Sequence, residues 1–383
     1  MRAVIVYGTL FVFLFASFPA ASQDVRRKRD WCGTERTRAA LPLETLSQME
    51  KAGQRPDTPA AEILLFVDFD GATVRPGFAN STGQFSTIVN SIRTCPAPAL
   101  NADQKNEVIR LLKDDYSPFN VRITTNQSDF DSYSPAANKE LVIVTTLPSV
   151  IGQPTGISGV APFTNIGTRL PFDPSFVFSA AVGNDPVAVA ATVSHETGHT
   201  MGLAHQHLYN GSCGVTSEYH PGFGTGPIAF APIMGEGINA TTGGGIINWW
   251  AQSCPDPTFG VPQNDYALLN QQVDVVSDDF PNSALGVPVL ARTFLGRLEQ
   301  AGDTDYISIN FKARQGSRVT SDNIDLKVSL CNAAGTVIAV FDDPAGRNVN
   351  IPYTPRARFL KIEAGPNPNI SSAFMTGHYR VQY

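Results

Sequence analysis

Charged residues are scarce in this chain of 383 residues, of which Asp, Glu, Lys and Arg together make up only 16%. The net charge is −6, so the chain lacks the basic excess with which proteins bind nucleic acids or anionic membrane surfaces. Hydrophobic residues make up 42%, and 32 glycines with 28 prolines indicate many turns. The composition therefore favours a globular protein of two or three domains with no nucleic-acid partner.

Long apolar runs are also lacking, except at the N-terminus. There, an apolar run at residues 3–18 is followed by small residues, which is typical of a secretory signal peptide spanning residues 1–22. An uncleaved membrane anchor is the alternative, but the run is short for the roughly 20 residues that cross a bilayer. Since no later segment is apolar enough, we expect a secreted, extracellular protein with no stable membrane insertion.

Cysteine is scarce too, and the count of five leaves at least one residue unpaired or bridged to another chain. Cys213 and Cys254 bracket one segment and are the best candidates for a disulfide in an oxidising compartment, although sequence leaves the connectivity open. Five Asn-x-Ser/Thr sequons fit export and are candidates for N-glycosylation. They begin at Asn80, Asn126, Asn210, Asn239 and Asn369.

The hydrophobic pattern divides the chain near residue 276. Before that point, strands mixed with helices indicate an α/β layer. Strands are predicted at residues 62–69, 119–125, 140–146 and 176–180, and helices at 101–116 and 185–202. After it, short alternating runs separated by turns indicate an all-β sandwich. These strands are predicted at residues 292–298, 305–311, 325–330, 337–341, 359–363 and 379–383.

Histidine is scarce as well, and four of only six histidines lie within residues 194–207, whose sequence is SHETGHTMGLAHQH. Asp185 is the predicted N-cap of the helix that carries this stretch, and Gly202 is its predicted left-handed end. Residues four apart lie on one helix face, so His195 and His199 point at a common atom.

Two imidazoles at this spacing suit zinc, which prefers a tetrahedral shell with nitrogen ligands. Glu196 projects beside the same face, where a carboxylate can act as general base on a metal-bound water. Gly202 turns the chain and His205 follows three residues later as the third ligand. The sequence therefore predicts one catalytic zinc ion bound by His195, His199 and His205, with a fourth position open.

The string HETGHTMGLAH resembles the motif H-E-x-x-H-x-x-G-x-x-H of the metzincin zinc metallopeptidases at every fixed position. Met234, within Ala-Pro-Ile-Met-Gly-Glu-Gly, resembles the methionine turn that supports the zinc ligands in that family, although simple core filling is the other interpretation. The resemblance covers about residues 60–275. It implies an α+β catalytic domain, with a mixed sheet, an active-site helix and an irregular lower subdomain after Gly202.

The chain departs from the metzincin pattern at two positions. Gln206 stands where large subfamilies have Glu, Asp or Ser, and Glu236 stands where some members have a tyrosine ligand. The sequence therefore names neither the subfamily nor the substrate preference. We expect His207 to be a bystander at the surface or beside the ligands, and His220 to be a loop histidine.

Residues 23–59 are predicted to form a pro-segment or linker. The basic run at residues 26–29 is either a processing site cleaved after Arg29 or an exposed run of charges. Some metzincins are zymogens in which an N-terminal thiolate occupies the open zinc position, and Cys32 is a candidate for that role. A disulfide from Cys32, with Cys95 as the partner, is the alternative that we favour.

The tail, at residues 276–383, resembles the pre-peptidase C-terminal domain of secreted bacterial peptidases. The resemblance lies in FLGRL at 294–298, GDTDY at 302–306 and DLKVSL at 325–330. A domain of this kind is expected to dock to a surface or polymer, or to assist export. Calcium is a candidate ligand at four acidic residues, but exposed turn residues are the default interpretation. These residues are Asp303, Asp305, Asp342 and Asp343.

Three functions follow from these patterns. The first is a secreted zinc endopeptidase acting on protein or peptide substrates, with Glu196 taking a proton from the zinc-bound water and passing it to the leaving amine. The second is a zinc hydrolase of non-peptide amides or esters with the same ligands. The third is a non-catalytic secreted binding protein, which the intact Glu196 argues against because loss of the base would be expected there.

Overall fold

The computed structural model describes most of the chain from residue 62 onward. The described residues are 62–77, 84–134, 138–163, 173–237, 244–285, 293–300, 302–309, 316–367 and 375–382. Several predictions from the sequence lie outside them and are not described further. These are the signal peptide, residues 23–59 with Cys32, and the sequons at Asn80, Asn239 and Asn369.

The first region, residues 62–275, is built on a five-stranded sheet. Its strands, with the shorter strands outside that sheet, are β1 (Ile63–Asp68), β2 (Ala72–Pro76), β3 (Phe85–Ser86), β4 (Arg93–Cys95), β5 (Val121–Thr124), β6 (Lys139–Thr145), β7 (Gly159–Val160), β8 (Ser175–Phe178), β9 (Leu208–Tyr209), β10 (Val215–Ser217), β11 (Phe230–Pro232), β12 (Ile246–Asn248), β13 (Ala251–Pro255) and β14 (Pro262–Asn264). The sheet order is β5-β1-β6-β8-β7. The first four strands are parallel, and β7 runs antiparallel to β8 at one edge.

Four helices accompany this sheet in the described residues: α1 (Ala102–Asp115), α2 (Gln127–Ser132), α3 (Pro186–Thr200) and α4 (Asp265–Gln272). Residues of α1 and α3 share a buried core with one face of the sheet, and Phe130 of α2 belongs to the core on the other face. Every residue of β1 is buried because both faces are covered. The predicted caps are present: the side chain of Asn101 accepts from Gln104 N, and that of Asp185 accepts from Val187 N.

The chain that follows α3 is irregular and contains only short paired strands. The pairs are β9 with β10, β11 with β12, and β13 with β14. The disulfide expected between Cys213 and Cys254 is present, with an S–S distance of 2.03 Å. Cys95 is a buried free thiol in the described chain, and Cys32, the partner that we expected for it, lies outside the described residues. Burial raises the pKa of the Cys95 thiol to about 11.

The second region, residues 276–382, consists of two antiparallel four-stranded sheets with a common core, in a sandwich-like arrangement. Its strands are β15 (Thr293–Leu298), β16 (Thr304–Ser308), β17 (Ser317–Thr320), β18 (Leu326–Cys331), β19 (Val337–Asp342), β20 (Val349–Ile351), β21 (Phe359–Ala364) and β22 (Gly377–Gln382). The sheet orders are β15-β22-β17-β20 and β16-β21-β18-β19. Strands β17 and β20 were not predicted, because they are short and lie in turn-rich sequence.

The two regions are packed against each other through polar and apolar contacts. Phe230 and Ile246 precede the predicted boundary near 276 yet belong to the buried core of the second region. Asn323 of the second region donates through Nδ2 to Asp115 Oδ1 at 3.2 Å, and Ser194 Oγ donates to Asp115 Oδ2 at 2.6 Å. Asp115 therefore links the second region to the helix that carries His195.

No helix of the described residues is both long enough and apolar enough to cross a membrane. Two of the predicted sequons lie in the described chain, at Asn126 and Asn210, and both side chains are exposed. Asn126 caps α2 by accepting from Ser128 N, and Asn210 Oδ1 accepts from Gly214 N.

Candidate metal centre

The centre is built on α3, a helix that is buried on all sides from Ala188 to Thr200. Asp185 caps its first turn, and Pro186 occupies a position where the missing N–H is not needed. The helix ends before Gly202, whose φ of 90° lies in the left-handed region that glycine adopts without strain. This turn directs the next residues back towards the helix, as predicted.

Three histidines converge at the end of this helix. His195 and His199 are 0% and 1% exposed, and His205, which follows the glycine turn, is 9% exposed. One nitrogen of each ring lies within 4.8 Å of the other two. The predicted group of His195, His199 and His205 is therefore brought together by the fold and is able to hold a metal ion.

Each of the three rings is oriented through its Nδ1 atom. His195 Nδ1 lies 2.8 Å from the carbonyl oxygen of Ile233, and His199 Nδ1 lies 2.7 Å from that of Leu203. His205 Nδ1 lies 3.2 Å from Oε1 of Glu218. A carbonyl oxygen only accepts, so Nδ1 of His195 and of His199 carries the proton and donates. The acceptor lone pair of each of these two rings is thereby placed on Nε2, which is the form that binds a metal.

The distance between His195 Nε2 and His199 Nε2 shows whether the two atoms can bind the same metal ion. These atoms are 3.1 Å apart. With both protons on Nδ1, this is an approach of two lone pairs, which a shared cation would relieve. Two nitrogens bound at about 2.0–2.1 Å in a tetrahedral zinc shell lie roughly 3.3 Å apart. The donor set and its spacing therefore fit a metal that prefers nitrogen ligands.

Burial also keeps two of the histidines neutral. It lowers the pKa of His195 to about 4, against a smaller raising effect of the Ile233 carbonyl. Burial lowers the pKa of His199 well below its usual value, and the neighbouring His195 and His205 lower it further. A neutral imidazole is the metal-binding form, so at neutral pH these ligands need not lose a proton before they bind.

Glu196 is fully buried beside the ligands, and its carboxyl group packs against the edge strand β7. A β-carbon built on Gly159 of β7 would lie 2.3 Å from Glu196 Oε1. The Glu196 carboxylate can therefore occupy this position only because residue 159 has no β-carbon. Sequence reasoning did not find Gly159, because nothing around it connects it to a helix that begins 27 residues later.

Met234 lies at the tip of a tight turn beneath the helix, as the resemblance implied. Gly235 N donates to Pro232 O at 3.0 Å to close the turn, and Met234 is 0% exposed. A β-carbon on Gly198, in the middle of the histidine motif, would lie 2.4 Å from the sulfur of Met234. Gly198 therefore permits the close approach of the methionine, and its importance was not visible in the sequence.

The segment that carries His205 is fixed by a buried polar network. Gln206 Nε2 donates to Asp265 Oδ1 at 2.7 Å, and Gln263 Nε2 donates to the same oxygen at 2.9 Å. Gln263 also bonds both the N–H and the carbonyl of Ala204. Burial raises the pKa of Asp265 to about 7, while Gln206 is the leading group that lowers it. The unusual residue at 206 thus has a structural role beside the third ligand.

The other two histidines near the motif are both buried. His207 is 2% exposed, and its Nε2 lies 3.3 Å from Oδ2 of the buried Asp256, so the prediction of a surface position is wrong. His220 is also buried, and its ring packs on Phe223 and Trp250 at 4.3 and 5.0 Å between centroids. Neither histidine belongs to the three-histidine group.

Aromatic side chains surround the three ligands. The ring of Tyr219 lies 4.4 Å from that of His205, and the ring of Phe163 lies 6.0 Å from that of His199. Glu218, the partner of His205, has a side chain that is 48% exposed. His205 is the most exposed of the three ligands.

No family model and no curated protein matches this chain. The resemblance to the metzincins therefore rests on the residues of the chain and their geometry.

Proposed function

We propose that this chain is a secreted, zinc-dependent endopeptidase in which Glu196 is the general base. The observation that carries the proposal is the convergence of three oriented imidazoles, two of which share one turn of the helix with a buried carboxylate. His195, His199 and His205 would hold the zinc ion through Nε2, and their Nδ1 acceptors would keep the rings in place.

The chemistry is divided between the metal and the chain. When bound, zinc lowers the pKa of a bound water towards about 7 and polarises a carbonyl group. Glu196 accepts a proton at its carboxylate and delivers it to the nitrogen of the leaving amine. The contact with Gly159 fixes where that carboxylate lies, and Met234 supports the helix turn that carries His199 through its contact with Gly198.

A peptide substrate is favoured by the position of β7. This strand is the last of the five-stranded sheet in the described residues, and its Gly159 contacts the proposed base. An extended peptide can bind by adding a strand to such an edge, through main-chain hydrogen bonds. A substrate bound in this way would run past Glu196, which supports a peptide over a small amide or ester.

Secretion is supported by the Cys213–Cys254 disulfide, which is compatible with an oxidising, extracellular location. The proposal also assigns a role to the second region, as a non-catalytic domain that docks to a surface or polymer. Its contacts with Phe230 and Ile246 support a fixed position relative to the first region.

The decisive experiment compares Glu196→Gln with the native chain and with Glu107→Gln, a control at a glutamate of α1 whose side chain is 39% exposed. We expect Glu196→Gln to retain zinc but to lose cleavage of casein and of quenched peptides. Undiminished cleavage would refute the mechanism. Hydrolysis of esters or non-peptide amides without peptide cleavage would support the zinc hydrolase, and zinc binding by the native chain without any hydrolysis would support a binding protein.

A further inference from the structure

Five carboxyl groups meet where the connecting segment, residues 276–282, joins the second region. They form two groups that share Asp278, and within each group the ligand oxygens lie within 4.8 Å of one another. One group consists of Asp278, Glu299 and Asp303, and the other of Asp278, Asp279 and Asp305. This acidic cluster is separate from the three histidines and has no part in the proposed hydrolysis.

The cluster is not a set of exposed turn residues, although the sequence favoured that interpretation for Asp303 and Asp305. Glu299, Asp303 and Asp305 are only 2%, 5% and 0% exposed. Carboxylates that lie this close together in a buried setting repel one another strongly unless a positive charge or a proton neutralises them. In the described chain, Arg297 offers such a charge, with its Nε 3.1 Å from Glu299 Oε1.

Two oxygens of the cluster point to a ligand that the protein does not supply. Glu299 Oε1 accepts from Asp279 N at 3.1 Å, and Asp305 Oδ2 accepts from the hydroxyl of Tyr379 at 2.6 Å. The second oxygen of each carboxyl group, Glu299 Oε2 and Asp305 Oδ1, is buried and has no hydrogen-bond partner among the described residues. A buried oxygen without a partner is costly, so a bound group is expected there.

We propose that the acidic cluster binds calcium and thereby fixes the connecting segment to the turn between β15 and β16. Calcium takes oxygen ligands at 2.3–2.6 Å, so oxygens on opposite sides of the ion lie about 4.6–5.2 Å apart. The candidate ligand oxygens of each group all lie within 4.8 Å of one another, so one calcium ion can contact all of them. Magnesium keeps several of its waters and zinc prefers nitrogen and sulfur, so both fit this all-carboxylate cluster less well.

The electrostatics agree with this geometry. Burial is the leading cause that raises the pKa of Glu299 to about 8 and that of Asp305 to about 9. The other carboxylates of the cluster raise both values further. Calcium would reverse this effect by stabilising the charged forms of both groups.

Binding would tie together parts of the chain that are already in contact. Phe280 of the connecting segment packs on Phe294 of β15, with 5.8 Å between ring centroids. Tyr306 N of β16 donates to Pro281 O at 3.1 Å. Calcium bound at Asp278 and Asp279 on one side, and at the β15–β16 turn on the other, would hold this junction closed.

The test is calcium binding to the full chain, after removal of metals and reloading with one equivalent of zinc. Calorimetry with Ca²⁺ is combined with Tb³⁺ luminescence excited through Tyr379, whose hydroxyl contacts the cluster. The variants are Asp278→Asn, at the exposed residue that both groups share, and Asp305→Asn. Asp342→Asn, at an exposed aspartate of the same region, is the control.

We expect saturable Ca²⁺ binding and a higher unfolding temperature with Ca²⁺ in the native chain and in Asp342→Asn. Asp278→Asn should weaken binding by about tenfold or more, because the charge count of the ligands sets calcium affinity. The same binding in His199→Ala would show that the site is independent of the histidines.

Absence of Ca²⁺ binding by the native chain would overturn the proposal, as would unchanged affinity in Asp278→Asn. Since the native chain and the exposed Asp278 are measured directly, the test does not depend on whether Asp305→Asn folds.

Discussion

Gly159→Ala tests whether Glu196, the proposed base, can occupy its position only because residue 159 has no side chain. The new β-carbon would lie 2.3 Å from Oε1 and 2.7 Å from Cδ of Glu196. Carbon and oxygen atoms approach comfortably only to about 3.3 Å, so the carboxylate would have to move by about 1 Å. The φ of Gly159 is not in the left-handed region, so the alanine itself fits the backbone. The substitution should therefore act only by displacing the carboxylate of Glu196.

A displacement of about 1 Å at a reacting group costs on the order of 100-fold in rate. We expect Gly159→Ala to lower kcat/KM for a quenched peptide by about that factor, while the chain binds one zinc ion as before. Gly211→Ala is the matched control, because a β-carbon there meets no atom within 4 Å and should change nothing. Native activity in a folded Gly159→Ala protein would refute the placement of the base.

Three further predictions concern the surroundings of the two candidate sites. Gly198→Ala brings a β-carbon to 2.4 Å from the sulfur of Met234. Overpacking of about 1–3 kcal/mol should outweigh the helix preference of about 1 kcal/mol for alanine, so urea unfolding should show a net loss of stability. The loss should disappear when Gly198→Ala is instead added to a Met234→Ala chain and compared with that chain. Glu218→Gln weakens the orientation of His205 and should lower zinc affinity about 10–100-fold in a competition titration, whereas full affinity would exclude that role. Because burial raises the pKa of Asp305 from 3.8 to about 9, the folded state without calcium holds this proton more tightly than the unfolded chain. Its stability should therefore fall as pH rises through that range, and calcium or Asp305→Asn should flatten the thermal-unfolding profile.

The features that the sequence predicts well are set by local rules. The caps at Asn101 and Asp185, the spacing of His195 and His199, and the left-handed Gly202 all follow from interactions within a few residues. Helical periodicity alone places two imidazoles on one face, and the strands that were predicted in both regions follow from runs of apolar or alternating residues.

The features that the sequence does not predict depend on contacts between distant segments. Gly159 and Gly198 matter because Glu196 and Met234 approach them in the folded chain, and no local pattern encodes that approach. Glu218 lies 13 residues after its partner histidine, in an irregular segment without periodicity.

Which polar residues are buried could not be predicted from the sequence either. Asp305 was expected to be an exposed turn residue, and a surface position was one of two expected for His207, yet Tyr379 and Asp256 contact them from remote parts of the chain. Such polar clusters are built from several elements at once, so composition and periodicity carry no signal for them.

A zinc titration of the metal-free chain, followed by peptide cleavage, is the sharpest test of the proposed zinc chemistry. We expect activity to rise to its maximum at one zinc ion per chain, and His199→Ala neither to bind this ion nor to cleave the peptide. Full peptide cleavage by the metal-free chain, or by His199→Ala, would contradict the assignment of the three histidines as ligands of a catalytic metal.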